Sequence, residues 1–175
     1  LIDIRDPKNL RVVSEIDAKR SVQDIAMAAN NVYLAIDGPE VEVLTLKFES
    51  VSKLSSVSYE PMTISSKGVF QIQGRGHAIG LAVFDINKGD LLTHDLIVAQ
   101  GESGIGFYKK AEFIMPQPIS SFNTGYINIV ATDEKYIYAN VDDAIAVFDP
   151  KTQKEITDIK VNDVWGFKVK NNTLY

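Results

Sequence analysis

The chain has 175 residues, 45% of them hydrophobic and 23% charged, which is typical of a folded globular domain with a real core. Its net charge of -5 comes without a basic stripe, so we expect no nucleic-acid partner. Cysteine is absent, which excludes disulfides, thiolate nucleophiles and cysteine-ligated metals, and no apolar run reaches the length of a membrane span.

Two sequence marks recur along the chain. A polar turn followed by a β-rich run ends on an aromatic at Tyr33, Phe70, Tyr138 and Tyr175. The interval from Tyr33 to Phe70 equals that from Tyr138 to Tyr175. The second mark is a short apolar run at residues 1–4, 43–46, 83–86 and 147–150, and Asp, Asn, Pro or Gly turn residues follow three of these copies. Together the marks predict an internal repeat.

Each repeat is expected to contain four short strands. In the first complete repeat we predict strands near 22–28, 32–36, 41–46 and 52–59. Val, Ile, Tyr and Thr dominate these runs and no helical period connects them, which favours an all-β fold. Four strands in roughly 40 residues is the length of a propeller blade. We therefore predict an all-β β-propeller, built as an arc of four-stranded antiparallel blades.

The marks also predict the extent of each blade. We place complete blades at 22–60, 61–98 and 126–162, a degenerate region at 99–125, and partial blades at 1–17 and 165–175. The two partial blades would complete one blade if the ring were small. We favour an arc of a six- to eight-bladed ring, because interruption of a blade at both ends is more simply explained if the sequence covers only part of the ring.

Residues 2–10 (Ile-Asp-Ile-Arg-Asp-Pro-Lys-Asn-Leu), 21–26 (Ser-Val-Gln-Asp-Ile-Ala) and 31–35 (Asn-Val-Tyr-Leu-Ala) resemble LVIVD-type and related archaeal and bacterial surface β-propeller repeats. The resemblance covers 1–46 and 126–175, is weaker over 61–98, and does not extend into 99–125. It implies a surface or secreted binding module, hence an extracellular or cell-surface location, and it carries no catalytic residues over to this chain.

Several motifs suggest a phosphate-binding or metal site, but each has a simpler structural interpretation. The glycine-rich stretches 74–80 and 101–106 lack the spacing and the following helix of a phosphate-binding loop, so we interpret both as loops between strands. His77 and His94 are not at a metal-ligand spacing. Asp142 and Asp143 alone are too few for a calcium site, and we interpret them as a turn.

Two further features are interpreted structurally. We expect Trp165 to pack in the core between sheets. Residues 171–173 (Asn-Asn-Thr) match an N-glycosylation acceptor but are also sufficient as a hairpin turn. No Gly-x-Ser-x-Gly elbow occurs. We therefore predict no catalytic residue, no metal ligand and no cofactor.

The leading functional hypothesis is a non-catalytic propeller scaffold whose rim loops bind a protein or glycan partner. One alternative is a propeller enzyme, a hydrolase or dehydrogenase, with its active-site ligands in blades outside this segment. Another is an S-layer or adhesin-like structural protein of the cell surface. Because a fold does not fix a function, these hypotheses rest partly on analogy.

Overall fold

The computed structural model describes residues 1–28, 31–48, 62–72, 76–84, 95–109, 117–122, 125–133, 135–170 and 173–175. Within these ranges the chain forms strands and turns and contains no helix. Accordingly, the described part has no helix of the length and apolarity that crossing a bilayer would require.

The chain begins with a small antiparallel hairpin. It pairs β1 (Ile2–Asp3) with β2 (Arg11–Val12). The turn between them is the predicted one: the Asp6 carboxylate accepts a hydrogen bond of 3.0 Å from the Lys8 N–H. Hydrogen bonds from the Arg5 side chain lower the pKa of Asp3 to about 2. Both strands are largely exposed.

The first four-stranded sheet follows. It contains, in spatial order, β3 (Val22–Ala28), β4 (Asn31–Ile36), β5 (Glu40–Phe48) and β6 (Met62–Gln71), each antiparallel to its neighbour. Strand β4 is buried from Val32 to Ile36. Such continuous burial occurs where a strand is covered on both faces, and it explains why this run is apolar without alternation.

The second sheet has the same organisation. It contains β7 (Gly80–Phe84), β8 (Asp95–Ala99), β9 (Ile105–Lys109) and β10 (Gln117–Phe122). The third contains β11 (Val130–Thr132), β12 (Ile137–Val141), β13 (Ala144–Asp149) and β14 (Lys154–Lys160). Outermost strand β14 is exposed along its whole length. A second small hairpin, β15 (Val169–Lys170) with β16 (Thr173–Leu174), follows.

Apolar clusters lie between neighbouring sheets. Along β8, Leu96 and Val98 join a cluster with the first sheet, whereas Ile97 and Ala99 join a cluster with the third. This is the two-residue period of a strand, here with both faces buried. Full burial of such side chains contributes roughly 1.5–3 kcal/mol each. The second sheet is therefore the central layer of the described core.

The first strands of the sheets are also joined by hydrogen bonds. The Asp24 carboxylate on β3 accepts a bond of 2.7 Å from the Leu81 N–H on β7. The Thr132 hydroxyl on β11 donates to the Val83 carbonyl of β7 at 2.6 Å. A Cβ on Gly80 would lie 2.6 Å from the carbonyl oxygen of Asn128, which precedes β11. Strand β7 and this segment therefore approach too closely for any side chain at position 80. The three sheets therefore meet along β3, β7 and β11.

The sheet boundaries differ from the expected blades. The first sheet extends to Gln71, and the expected strand at 52–59 lies outside the described residues. Residues 66–70, which we interpreted as a polar turn followed by a β-rich run ending at Phe70, lie within outermost strand β6. A β-bulge leaves Lys67 without a partner residue on β5, and Gly68 at the bulge has a positive φ of 143°. The glycine that this backbone angle favours makes the segment resemble a turn in the sequence.

The same shift moves the second sheet along the chain. It runs from Gly80 to Phe122, so residues 99–125, expected to be degenerate, contribute β9 and β10. The third sheet begins at Val130 and ends at Lys160, inside the expected blade at 126–162. The partial blades expected at 1–17 and 165–175 correspond to the two small hairpins, which are separate two-stranded sheets.

Candidate binding site at the rim

Connections from all three sheets meet at one end of the structure. Two are turns inside a sheet, between β4 and β5 and between β8 and β9, and two are the segments that lead into β7 and β11. The Ala78 N–H donates to the Gly38 carbonyl at 2.9 Å, and Gly101 and Ile127 exchange backbone hydrogen bonds of 2.9 and 3.1 Å. These bonds fix the connections of neighbouring sheets against each other. We call this end the upper rim.

The upper rim encloses a cavity of about 480 Å³, here called the rim cavity. Its size lies within the usual range for small-ligand sites. The side chains that offer polar groups come from all three sheets and their connections: Gln23, Asp37, His77, Glu102 and Tyr126. Gly76, Ala78, Ile79 and Gly101 provide the remaining surface. The cavity therefore combines small and apolar walls with a few polar groups.

The wall around Tyr126 depends on a glycine. Gly101 has a φ of +58°, in the left-handed region that favours glycine. A Cβ at this position would lie 3.4 Å from Cε2 of Tyr126 and 3.2 Å from Cδ1 of Ile79. The aromatic ring thus lies close over the Gly101 backbone. Because Tyr126 is 52% exposed, one part of its ring remains accessible.

The rim cavity is acidic. The Asp37 and Glu102 side chains line it, and no Lys or Arg is among its described lining residues. The His77 ring lies at its exposed edge, with Nδ1 3.7 Å from an Asp37 carboxylate oxygen. Nearby, the Arg20 guanidinium donates to the Asp37 carbonyl at 3.1 Å and pairs with the Glu40 carboxylate at 3.8 Å. The nearest described guanidinium is therefore already engaged outside the cavity.

A buried polar residue supports the rim from below. Gln100 is fully buried, and its side-chain amide donates to the Tyr108 hydroxyl. A Cβ on Gly76 would lie 1.8 Å from the Gln100 carbonyl oxygen, so only glycine fits where these two connections pass each other. Asn140 acts similarly in the third sheet, where its side-chain oxygen accepts from the N–H groups of Asn128 and Ile129. These contacts hold the rim in place.

A second, wider cavity of about 1060 Å³ follows the first strands. It is lined by β3, β7 and β11 and by the segment from Gly166 to Val169, with Tyr175. Backbone hydrogen bonds of 3.1 and 2.9 Å between Lys168 and Tyr175 continue the last hairpin beside it. We call this space the axial channel, because the first strand of each sheet faces it.

The residues considered from the sequence lie in separate places. His77 is on a connection, as predicted, and lines the rim cavity. Asp142 and Asp143 form the predicted turn, with Asp142 at a φ of 48°, and line a separate cavity of about 230 Å³. His94, Gly74, Arg75, Asn171 and Asn172 lie outside the described residues. In the described part, no group of three or more His, Asp or Glu is arranged to hold a metal.

The prediction for Trp165 is wrong. Its side chain is 92% exposed and contributes nothing to the apolar clusters. The cause is its position after β14, in the irregular segment that leads to the last hairpin. The interior positions between the second and third sheets are filled instead by shorter side chains and by Phe107 and Phe148.

The comparison with known proteins identifies the fold. No family model matches the chain, and no curated protein sequence matches it. Among solved structures, the computationally designed Ika4 protein matches with a TM-score of 0.64 at 11% identity, over 94% of this chain and 89% of that one. A Kuenenia stuttgartiensis hydrazine synthase chain matches with a TM-score of 0.62 at 15% identity, over 90% of this chain.

The WD40 domain of SCAP from fission yeast matches with a TM-score of 0.53 at 12% identity, over 79% of this chain. The fold is a β-propeller. Its three four-stranded sheets are the first, second and third blades. The chain spans 41% of the hydrazine synthase chain and 32% of the SCAP chain. These identities are low enough that the likeness establishes the fold alone.

Proposed function

We propose that this chain is a propeller scaffold that binds a protein partner through its upper rim. The observation that carries the proposal is the rim cavity, a concave site of about 480 Å³ built by connections from three blades. Loops fixed on a rigid scaffold are the usual place for recognition residues. A pre-formed cavity also reduces the entropy that a partner must overcome on binding.

We also propose that residues 1–175 belong to one propeller domain, since each neighbouring pair of described blades shares an apolar cluster. Family membership of the LVIVD type, a cell-surface location and a glycan partner stay predictions from the sequence. Of the two partner classes, a peptide segment fits the rim cavity better, because the cavity offers both charged groups and the apolar surface of the partly exposed Ile79.

The proposal is tested with a peptide-display library and a glycan array, each probed with the intact chain. We expect peptides to be enriched and to lose binding when Tyr126 is changed to Ala. The matched control is Tyr136→Ala, which removes another partly exposed tyrosine from the connection between β11 and β12. Enrichment of glycans alone would show that the rim binds a glycan and not a peptide. If neither library gave binding that depends on Tyr126, the rim would not be a binding site.

A further inference from the structure

The chemistry of the rim cavity selects one kind of ligand group. Resting on the proposed function, we propose that the cavity receives a cationic side chain, the Lys or Arg of a partner peptide. Three features of the cavity carry this inference: its unmatched negative charge, its accessible aromatic ring, and its size.

In the part of the chain that the structure describes, no Lys or Arg pairs with the two carboxylates of the cavity. Glu102 is exposed and makes neither an ion pair nor a hydrogen bond with any described residue. Among the same residues, the side chain that pairs with the Asp37 carboxylate is His77, at 3.7 Å. Arg20 pairs with Glu40 instead. A cation that enters the cavity therefore gains attraction without displacing a competing Lys or Arg of the described lining.

The aromatic wall adds a second source of attraction. One edge of the Tyr126 ring lies close to Gly101, and the residue is 52% exposed. A cation close to the face of an aromatic ring is attracted by the negative charge of that face. Since Tyr126 and Glu102 line the same cavity, one guanidinium or ammonium group can contact both. An arginine satisfies this geometry best, because its planar guanidinium stacks on a ring and donates to a carboxylate at the same time.

The size of the cavity limits the ligand to one or two side chains. A volume of about 480 Å³ admits a peptide side chain with part of its backbone, but not a folded element. The walls at Gly76 and Gly101 carry no side chain, so the backbone lies close to that space and limits its width. The expected ligand is thus a short basic segment and not an extended basic surface.

The experiment titrates the isotopically labelled chain with the tripeptide acetyl-Gly-Arg-Gly-amide and follows backbone amide signals by NMR. The control peptide carries citrulline in place of arginine, which keeps the shape and removes the charge. We expect shifts at Gly101, Glu102 and Tyr126, and at least tenfold weaker binding of the citrulline peptide. Affinity should also fall several-fold from about 0.01 M to about 0.1 M salt, as the screening length shortens from about 30 to about 10 Å.

Variants separate the attraction of the carboxylates from that of the aromatic ring. The double change Asp37→Asn with Glu102→Gln should weaken arginine binding about tenfold, whereas Glu15→Gln, which removes an exposed charge elsewhere, should leave it unchanged. Tyr126→Phe should retain binding and Tyr126→Ala should lose most of it, because phenylalanine preserves the ring face.

The possible outcomes distinguish this inference from the proposed function. Equal binding of the citrulline and arginine peptides, or no rim shifts with the arginine peptide, would overturn the inference. The function itself would still hold if display-selected peptides without Lys or Arg bound in a manner dependent on Tyr126. Loss of binding to every peptide would remove both.

Discussion

At the scale of single residues, Asp133 organises the connection between β11 and β12. One carboxylate oxygen accepts hydrogen bonds of 2.7 Å from the N–H groups of Lys135 and Tyr136, and the other accepts 2.8 Å from the Tyr138 hydroxyl. Partial burial raises the pKa of Asp133, but these hydrogen bonds together lower it below its usual range. Burial and the bond to Asp133 raise the pKa of Tyr138 to about 12.

The lowered pKa of Asp133 predicts an acid-dependent contribution to stability. The contribution is complete above the unfolded pKa of about 3.9 and is lost as pH falls through the lower folded value. Asp133→Asn should therefore cost about 1 kcal/mol at pH 7 and less at pH 3, which lies below the unfolded pKa. Urea unfolding midpoints at the two pH values measure this. Asp17→Asn, at an exposed position, is the control and should show no such difference. An equal loss at both pH values would contradict the assignment.

At the scale of elements, β7 and the segment before β11 approach each other closely between two blades. Gly80→Ala would place a Cβ 2.6 Å from the Asn128 carbonyl oxygen, and a backbone atom cannot move aside as a side chain can. We expect a loss of about 2 kcal/mol, measured by chemical unfolding, because the two blades must separate to accommodate the methyl group. Gly166→Ala, where no atom lies within 4 Å of the new Cβ, should change stability little. Equal effects of the two changes would show that the close approach is not maintained in solution.

The strands also show which parts of the fold could be predicted from the sequence and which could not. The all-β fold was predictable from the short β-rich runs and the turn residues between them. The recurring aromatics were a poorer guide, because Tyr33 and Tyr138 lie in the second strands of their blades but Phe70 lies in β6, the fourth strand of the blade that contains Tyr33. The blade boundaries were not predictable, because Lys67 and Gly68, at the bulge in outer strand β6, resemble a turn in the sequence. Trp165 was placed in the core because aromatic residues usually pack there, although its segment follows the third blade.

The rim cavity was even less accessible to sequence reasoning. Asp37, Glu102 and Tyr126 come from three different connections and are brought together only by the stacking of the blades. Of the cavity residues with polar side chains, His77 was considered beforehand as a metal ligand, and Glu102 only as part of the glycine-rich stretch 101–106. A usable signal is the position of Asp37 and Glu102, each in the connection between the second and third strands of its blade.

At the scale of the whole molecule, the second blade is packed on both faces and the two terminal hairpins are not part of any four-stranded sheet. Amide hydrogen exchange measured by mass spectrometry should therefore be slowest in β8 and fastest in β1, β2, β15 and β16. Local opening costs least where few apolar contacts are broken. Uniform exchange across the three blades and the hairpins would contradict this hierarchy.

The outermost strand of the third blade has a consequence for how the molecule behaves in crowded solution. Among the described residues, no strand pairs with the outer edge of β14, and such an edge is the usual template on which other chains add strands and grow fibrils. The strand is exposed on both faces and carries Lys154, Glu155, Asp158 and Lys160, with Lys160 paired to Asp158 at 2.8 Å. Any chain that docks there must desolvate these charges. The strand thus combines charges that oppose edge-to-edge association with the exposed apolar side chains of Ile156 and Ile159.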